Sequence, residues 1–254
     1  NADLLGITPR DFVGFSNFIN AFKNSGFLSS LRISGTFALV VVLSEVILGT
    51  AVALLLNEPL KGAKVARVFL ILPWAVPTIV NAIMWRLIYN PEYGAMNSML
   101  YQFGFIQEYI SWLSSADKAL WAIMIADIWK NFSLVAMIIL ASLQNLPESQ
   151  IEAAKIDGTN TLQRFFYITF PFILPSLQVA MVLRIIEAVK VFDIIYVMTK
   201  GGPANKTRSA SIFIYQEAFT NSRIGSGSAL AIILVAFILL LILFYIRIQN
   251  SERR

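Results

Sequence analysis

Five long apolar stretches, the fourth of them long and polar for a span, dictate what this chain can fold into. The hydrocarbon core of a bilayer is about 30 Å thick, so a helix rising about 1.5 Å per residue needs roughly 20 apolar residues to cross it. The stretches run from about 33 to 56, 68 to 89, 119 to 143, 165 to 199 and 229 to 248. Glu45 is the only charge in the first, and Arg247 stands near the end of the fifth. Pro73 and Pro77 fall in the second. In a soluble helix they would be breakers, but neighbouring helices compensate for them in membranes. The fold class predicted is an all-α membrane protein with membrane lipid as its solvent.

Composition supports this and excludes alternatives. The 254 residues are 57% hydrophobic and 14% charged, whereas soluble domains carry about 25% charge. With no Cys, disulfides and thiolate metal sites are ruled out. With no His, imidazole bases and zinc ligation are ruled out too. A net charge of +5 would suggest nucleic acid in a soluble protein. Here the bases flank spans, and no nucleic-acid partner is expected.

Five spans put the two ends on opposite faces. The chain begins with Asn1, and its first thirty residues lack the basic start and apolar core of a signal peptide. The expectation is that one further span precedes them. Positive charge does not set the orientation. Lys61, Lys64, Arg67, Lys155, Arg164, Arg247, Arg253 and Arg254 lie on one side. Arg10, Lys23, Arg32, Lys118, Lys200, Lys206, Arg208 and Arg223 balance them on the other.

The most informative loop lies between the third and fourth spans. It reads Asn145-Leu146-Pro147-Glu148-Ser149-Gln150-Ile151-Glu152-Ala153-Ala154-Lys155-Ile156-Asp157-Gly158. Pro147 suits a first helical position, and Glu148 favours the positive end of the helix dipole. Ala153 and Ala154 are strong helix formers, and Gly158 suits the left-handed position past a helix end. The spacing predicts a helix of about ten residues over 147–158, too short to cross a membrane. Such a helix lies on the membrane surface or docks into another protein, and the residues alone leave both open.

The wording of this loop resembles a known family. Glu152-Ala153-Ala154-x-x-Asp157-Gly158, followed by Phe165, Ile168 and Pro171, is similar to the EAA loop of ABC importer permeases. Ile168-Thr169-Phe170-Pro171-x-x-x-Pro175 resembles the stretch after that loop in the carbohydrate-uptake, maltose-type branch. Phe192-Asp193-x-x-Tyr196-Val197-Met198-Thr199-Lys200-Gly201-Gly202-Pro203 resembles the end of the next span and its external loop. Phe12-Val13-Gly14-Phe15-Ser16-Asn17-Phe18 is similar to the segment after the family's first span. Thr159 stands where Ala is usual, and Phe170 where Leu is usual.

The resemblance implies a single permease domain over residues 1–254, the five-helix core of a type I ABC importer permease whose first of six spans is absent. It implies a multi-pass protein of the bacterial cytoplasmic (inner) membrane, with the EAA helix and the C-terminus inside and the Gly201-Gly202-Pro203 loop outside. Glu152, Ala153, Ala154, Asp157 and Gly158 would form the coupling surface, seated in a cleft of an ATPase subunit. The implied partners are a second homologous permease, two ATPase subunits and an extracytoplasmic substrate-binding protein that docks on the loops Pro91–Asp117 and Lys200–Ser226. This chain would bind no cofactor and catalyse nothing, and ATP and Mg would belong to the ATPases. The cargo would be a mono-, di- or oligosaccharide, with glycerol phosphate or an acidic saccharide as variants.

Charges inside spans are costly and ask for a reason. Arg184, Glu187, Lys190 and Asp193 follow one another at steps of three, so adjacent members can pair on the helix surface. They read as a self-neutralising ladder or as groups lining an aqueous cavity. Each step of three rotates the face by about 60°, so all four cannot line one cavity. Asp127 and Lys130 can form a local pair, and Glu45 reads as a polar group packed against another helix or paired with the partner permease. Asn81, Trp85, Asp127, Asn131 and Lys190 have the amide, carboxylate, ammonium and aromatic chemistry that suits a sugar pathway. Two other classes compete: a secondary transporter driven by an ion gradient, and a membrane-embedded enzyme. The enzyme lacks a supporting motif, and no G-x-x-x-x-G-K-[ST] loop is present for ATP.

Overall fold

A computed structural model of the chain describes residues 11–59 and 61–252. Arg10, Arg253 and Arg254 of the charge tally lie outside the described residues. Among those described, every regular element is helical. In order they are α1 (Ser16–Lys23), α2 (Ser25–Asn57), α3 (Ala63–Leu70), α4 (Leu72–Ala75), α5 (Thr78–Ile88), α6 (Ala95–Gln102), α7 (Ala119–Leu143), α8 (Glu148–Ile156) and α9 (Thr161–Arg164). A π-helical turn, Phe165–Thr169, leads into α10 (Phe170–Val189). Then come α11 (Asp193–Met198), α12 (Ala210–Tyr215), a second π-helical turn (Gln216–Thr220) and α13 (Ile224–Glu252).

Four segments are long and apolar enough to cross a membrane: Ser25–Asn57, Ala119–Leu143, Thr161–Val189 and Ile224–Tyr245. A fifth arises only if the broken pair Ala63–Ala75 and Thr78–Ile88 counts as one span. Two expectations change here. The second stretch is not one continuous helix. Val76 is extended (φ −67°, ψ 127°) because it precedes Pro77, and the residue before proline is steered out of the helical region. The fourth stretch does not run to 199 as one helix either: α10 stops at Val189 and α11 restarts at Asp193. The carbonyls released at that break are taken up by serines. Ser211 Oγ donates to the Lys190 carbonyl (2.9 Å) and Ser209 Oγ to the Val191 carbonyl (2.8 Å).

The chain packs as two compact units. One comprises Val40–Pro77 and Asp127–Arg184. Its apolar core joins Ala53 and Leu56 of α2, Leu70 of α3, Val135, Ile139 and Leu143 of α7, and Ile173, Leu177 and Ala180 of α10. Gly49 makes the close approach of α2 to α7 possible: a Cβ there would lie 2.9 Å from the Val135 Cβ and 3.0 Å from the Ala136 backbone nitrogen. Arg67 ties the end of α2 to α3 by donating twice to the Leu56 carbonyl (3.2 and 2.7 Å).

The other unit comprises Asn1–Leu39, Thr78–Ala126 and Ile185–Arg254. Here α5 packs on α11, and α1 on α13. Asn97 organises the 90–117 loop, bonding the Ile110 backbone in both directions and accepting from Trp112 Nε1 at 2.9 Å. Gly227 leaves room for Ala218 of the second π-helical turn, since a Cβ there would sit 2.6 Å from the Ala218 Cβ.

Candidate functional site

The coupling candidate is α8. Pro147 stands one place before its predicted position, as the extended residue capping the helix (φ −60°, ψ 124°), and Glu148 opens the first turn. Asp157 caps the other end, and Gly158 follows with φ +78°, a left-handed conformation that suits glycine. The end is a Schellman motif. The Gly158 N–H donates to the Lys155 carbonyl (3.1 Å), and the Thr159 N–H to the Ala154 carbonyl (3.1 Å). Thr159 adds its hydroxyl, which donates to the same Ala154 oxygen at 2.6 Å. Arg164 Nη1 donates to the Thr159 carbonyl, also at 2.6 Å, and Asn160 and Gln163 close a capping box that starts α9. These bonds fix α8 to the foot of α10.

Glu152, Ala153, Lys155, Ile156, Asp157 and Gly158 are exposed, whereas Ala154 is buried. Of the two alanines, only Ala153 is available to another surface. Ala154 instead seats the helix on its own chain. Ile156 is 86% exposed, and Leu162, Phe166 and Tyr167 add further exposed apolar area along the same segment.

A second constellation lies buried in the same unit. Arg184 of α10 forks onto Glu45 of α2, with Nε 2.7 Å from Oε2 and Nη2 2.9 Å from Oε1. The same Nη2 donates to Asp127 Oδ2 of α7 at 3.1 Å. Glu45, Asp127 and Arg184 are all buried. The guanidinium fork matches carboxylate geometry, which is why Arg serves such sites. One turn along α7, buried Lys130 donates from Nζ to the Trp74 carbonyl of α4 at 3.0 Å. The two acids and two bases cancel.

The four charges expected as a ladder along the fourth span separate by exposure. Arg184 turns inward to partners on other helices, while Glu187, Lys190 and Asp193 are exposed. Glu45 is a packed group with its partner in the same chain. Nothing in the spacing of the fourth span signals that partner. The scarcity of charge in the first span was the available clue.

The remaining pathway candidates separate by exposure. Asn81 is fully buried, and its Nδ2 donates to the Ala126 carbonyl at 3.2 Å. Trp85 is buried against Tyr89, ring centroids 5.2 Å apart. Asn131 is buried with Asp127 on α7. Of the five, only Lys190 is exposed. It stands at the break between α10 and α11, in the same unit as an aromatic group that sequence reasoning missed. There Phe192 stacks on Tyr196 (5.2 Å, 14° between planes), and Tyr215 packs against both.

Long apolar helices, a capped and exposed loop helix and buried charge pairs define a polytopic membrane transport component. The chain belongs to the family of binding-protein-dependent transport system inner membrane components, whose model matches residues 45–254. The chain is thus the transport component of such a system, not an enzyme. It is 39% identical over 251 residues to the trehalose/maltose transport system permease protein MalF of Thermococcus litoralis, covering 99% of this chain and 84% of that protein. It is 36% identical over 244 residues to the sulfoquinovosyl glycerol transport system permease protein SmoG of Agrobacterium fabrum, covering 96% and 79%. Its fold matches a chain in the crystal structure of a bacterial ABC transporter involved in import of the acidic polysaccharide alginate. That match has a TM-score of 0.86 at 22% identity, over 96% of this chain and 86% of that one.

Proposed function

We propose that this chain forms half of the pathway for a sugar or similar polyhydroxylated solute. A second, homologous permease forms the other half, an external binding protein delivers the solute, and two ATPase subunits hold ATP and Mg and drive the cycle. The observation that carries the pathway is the exposure of Glu187, Lys190 and Asp193 at the interrupted end of the fourth span. A charged side chain facing lipid is costly, and the cost grows with depth in the bilayer. Such groups therefore face water or protein, and broken helices in transporters line just such cavities. Ammonium and carboxylate groups in one unit with the Phe192, Tyr196 and Tyr215 rings supply hydrogen bonds and a stacking face, the two contacts sugars use. The trehalose/maltose and sulfoquinovosyl glycerol relatives support this class.

Coupling is assigned to α8. Glu152 and Asp157 accept charge-assisted bonds, Ala153 allows close approach, and Ile156 offers an apolar stud. A helix joined by these bonds to α9, at the start of the fourth span, passes on any displacement it receives, and rigid-body motion of that kind drives switching. The test is uptake into vesicles holding the complete complex, with the binding protein presented with a panel of neutral and anionic sugars. The expected result is uptake of one class that requires ATP. Uptake driven by an ion gradient without ATP contradicts it.

A further inference from the structure

We infer that Lys130 is a positioning residue of the transport cycle: through the Trp74 carbonyl it holds the severed end of α4 to the body that carries the coupling helix. The inference rests on α8 being the coupling segment.

The need for Lys130 starts with Pro77. It forces Val76 into an extended conformation and has no N–H of its own, so α4 stops at Ala75. Carbonyls in the last turn of a helix lack intrahelical donors, and hydrocarbon offers none. The Lys130 ammonium supplies one to Trp74 at 3.0 Å. It also places positive charge at the negative end of a helix.

The other end of the same unit bears α8. The helix is tied down through buried Ala154, through Thr159 and through Arg164, at the foot of α10. From there α7 and α10 run through one apolar core to the buried charges. A push on α8 thus reaches Lys130 through packed side chains, and Lys130 hands it to Trp74, two residues before the break at Val76.

Lys130 has a second task, the charge balance of the cluster, and the two tasks are separable. Lys130→Met alone leaves two acids facing one base. Asp127→Asn with Lys130→Met removes one charge of each sign. It keeps the Glu45–Arg184 fork and leaves an amide oxygen at 127 to accept from Arg184. It does not restore a donor to Trp74.

The experiment compares the wild type, K130M, K130R and D127N/K130M in the full complex with partner permease, ATPases and binding protein. It reads thermal stability and solute transported per ATP hydrolysed. K130M should lower both. D127N/K130M should recover the part of the stability lost to the charge imbalance, while transport per ATP stays down by at least about fivefold, the scale of an ordinary coupling term. K130R, which keeps a charged donor, should recover transport per ATP. Wild-type transport per ATP in D127N/K130M overturns the inference. So does a double variant as unstable as K130M, because charge and holding would then be inseparable. Wild-type uptake independent of ATP would overturn the coupling reading itself, and this one with it.

Discussion

Arg184 and Glu45 stand 139 positions apart in sequence and meet in a two-pronged ion pair of 2.7 and 2.9 Å. Both side chains are almost wholly withdrawn from solvent. Burying two ions is expensive, so the pair is weak evidence for stability but strong evidence of dependence: each member requires the other.

Arg184→Met should therefore be among the most damaging single changes. It leaves Glu45 and Asp127 buried with one fewer base, a loss of about 3–5 kcal/mol. The loss is read as a fall in the unfolding temperature of the purified complex. Glu45→Gln combined with Arg184→Met keeps the cluster neutral and should recover most of it. A double variant as unstable as the single one would contradict the charge accounting.

Gly49→Ala should also destabilise. Alanine raises helix propensity by about 1 kcal/mol, but overpacking a tight core costs about 1–3 kcal/mol. The Val135 Cγ1 can rotate away, but its Cβ at 2.9 Å and the Ala136 backbone nitrogen at 3.0 Å are fixed by the backbone. The same unfolding measurement decides the sign, and Val135→Ala should relieve only part of the loss.

Gly158→Val places a β-branched residue at φ +78°. The strain, about 1–3 kcal/mol, falls on the end of α8 rather than on a span. Hydrogen exchange should accelerate over residues 152–159 with the unfolding temperature unchanged. Transport per ATP should drop with it. Unchanged exchange in that segment would show that the Schellman cap does not hold α8 in place.

Lys190→Ala and Asp193→Ala should reduce solute transport while leaving basal ATP hydrolysis and assembly intact, because both side chains are exposed and carry no part of the core. Asn81→Ala should behave in the opposite way. It removes the buried bond to the Ala126 carbonyl, an oxygen that stays paired within the α7 helix, and costs about 0.5–1.5 kcal/mol of stability.

Much of this was legible in the sequence, for local reasons. Apolar length alone reveals a span, and α8 is bounded by residues whose preferences act within one turn. Proline gave an ambiguous signal. Membrane helices tolerate it, so Pro73 and Pro77 did not show that the second stretch breaks at Val76. The three-residue spacing from Arg184 to Asp193 suggested a ladder only on the assumption of a continuous helix. The helix in fact stops at Val189, with Ser209 and Ser211 taking up the freed carbonyls. The partners of Arg184 lie on α2 and α7, and no local pattern encodes a contact across 139 positions. The departure at Thr159 also gained meaning only in three dimensions, where its hydroxyl caps Ala154.

The central claim, that α8 is the surface through which ATP hydrolysis acts, is tested most directly at Ile156. This side chain is 86% exposed. A photo-crosslinking amino acid placed at position 156 in the assembled complex should, on illumination, join this chain to an ATPase subunit. Illumination of the assembled, transport-competent complex that yields only lipid adducts, or a bond to the other permease, would contradict the account.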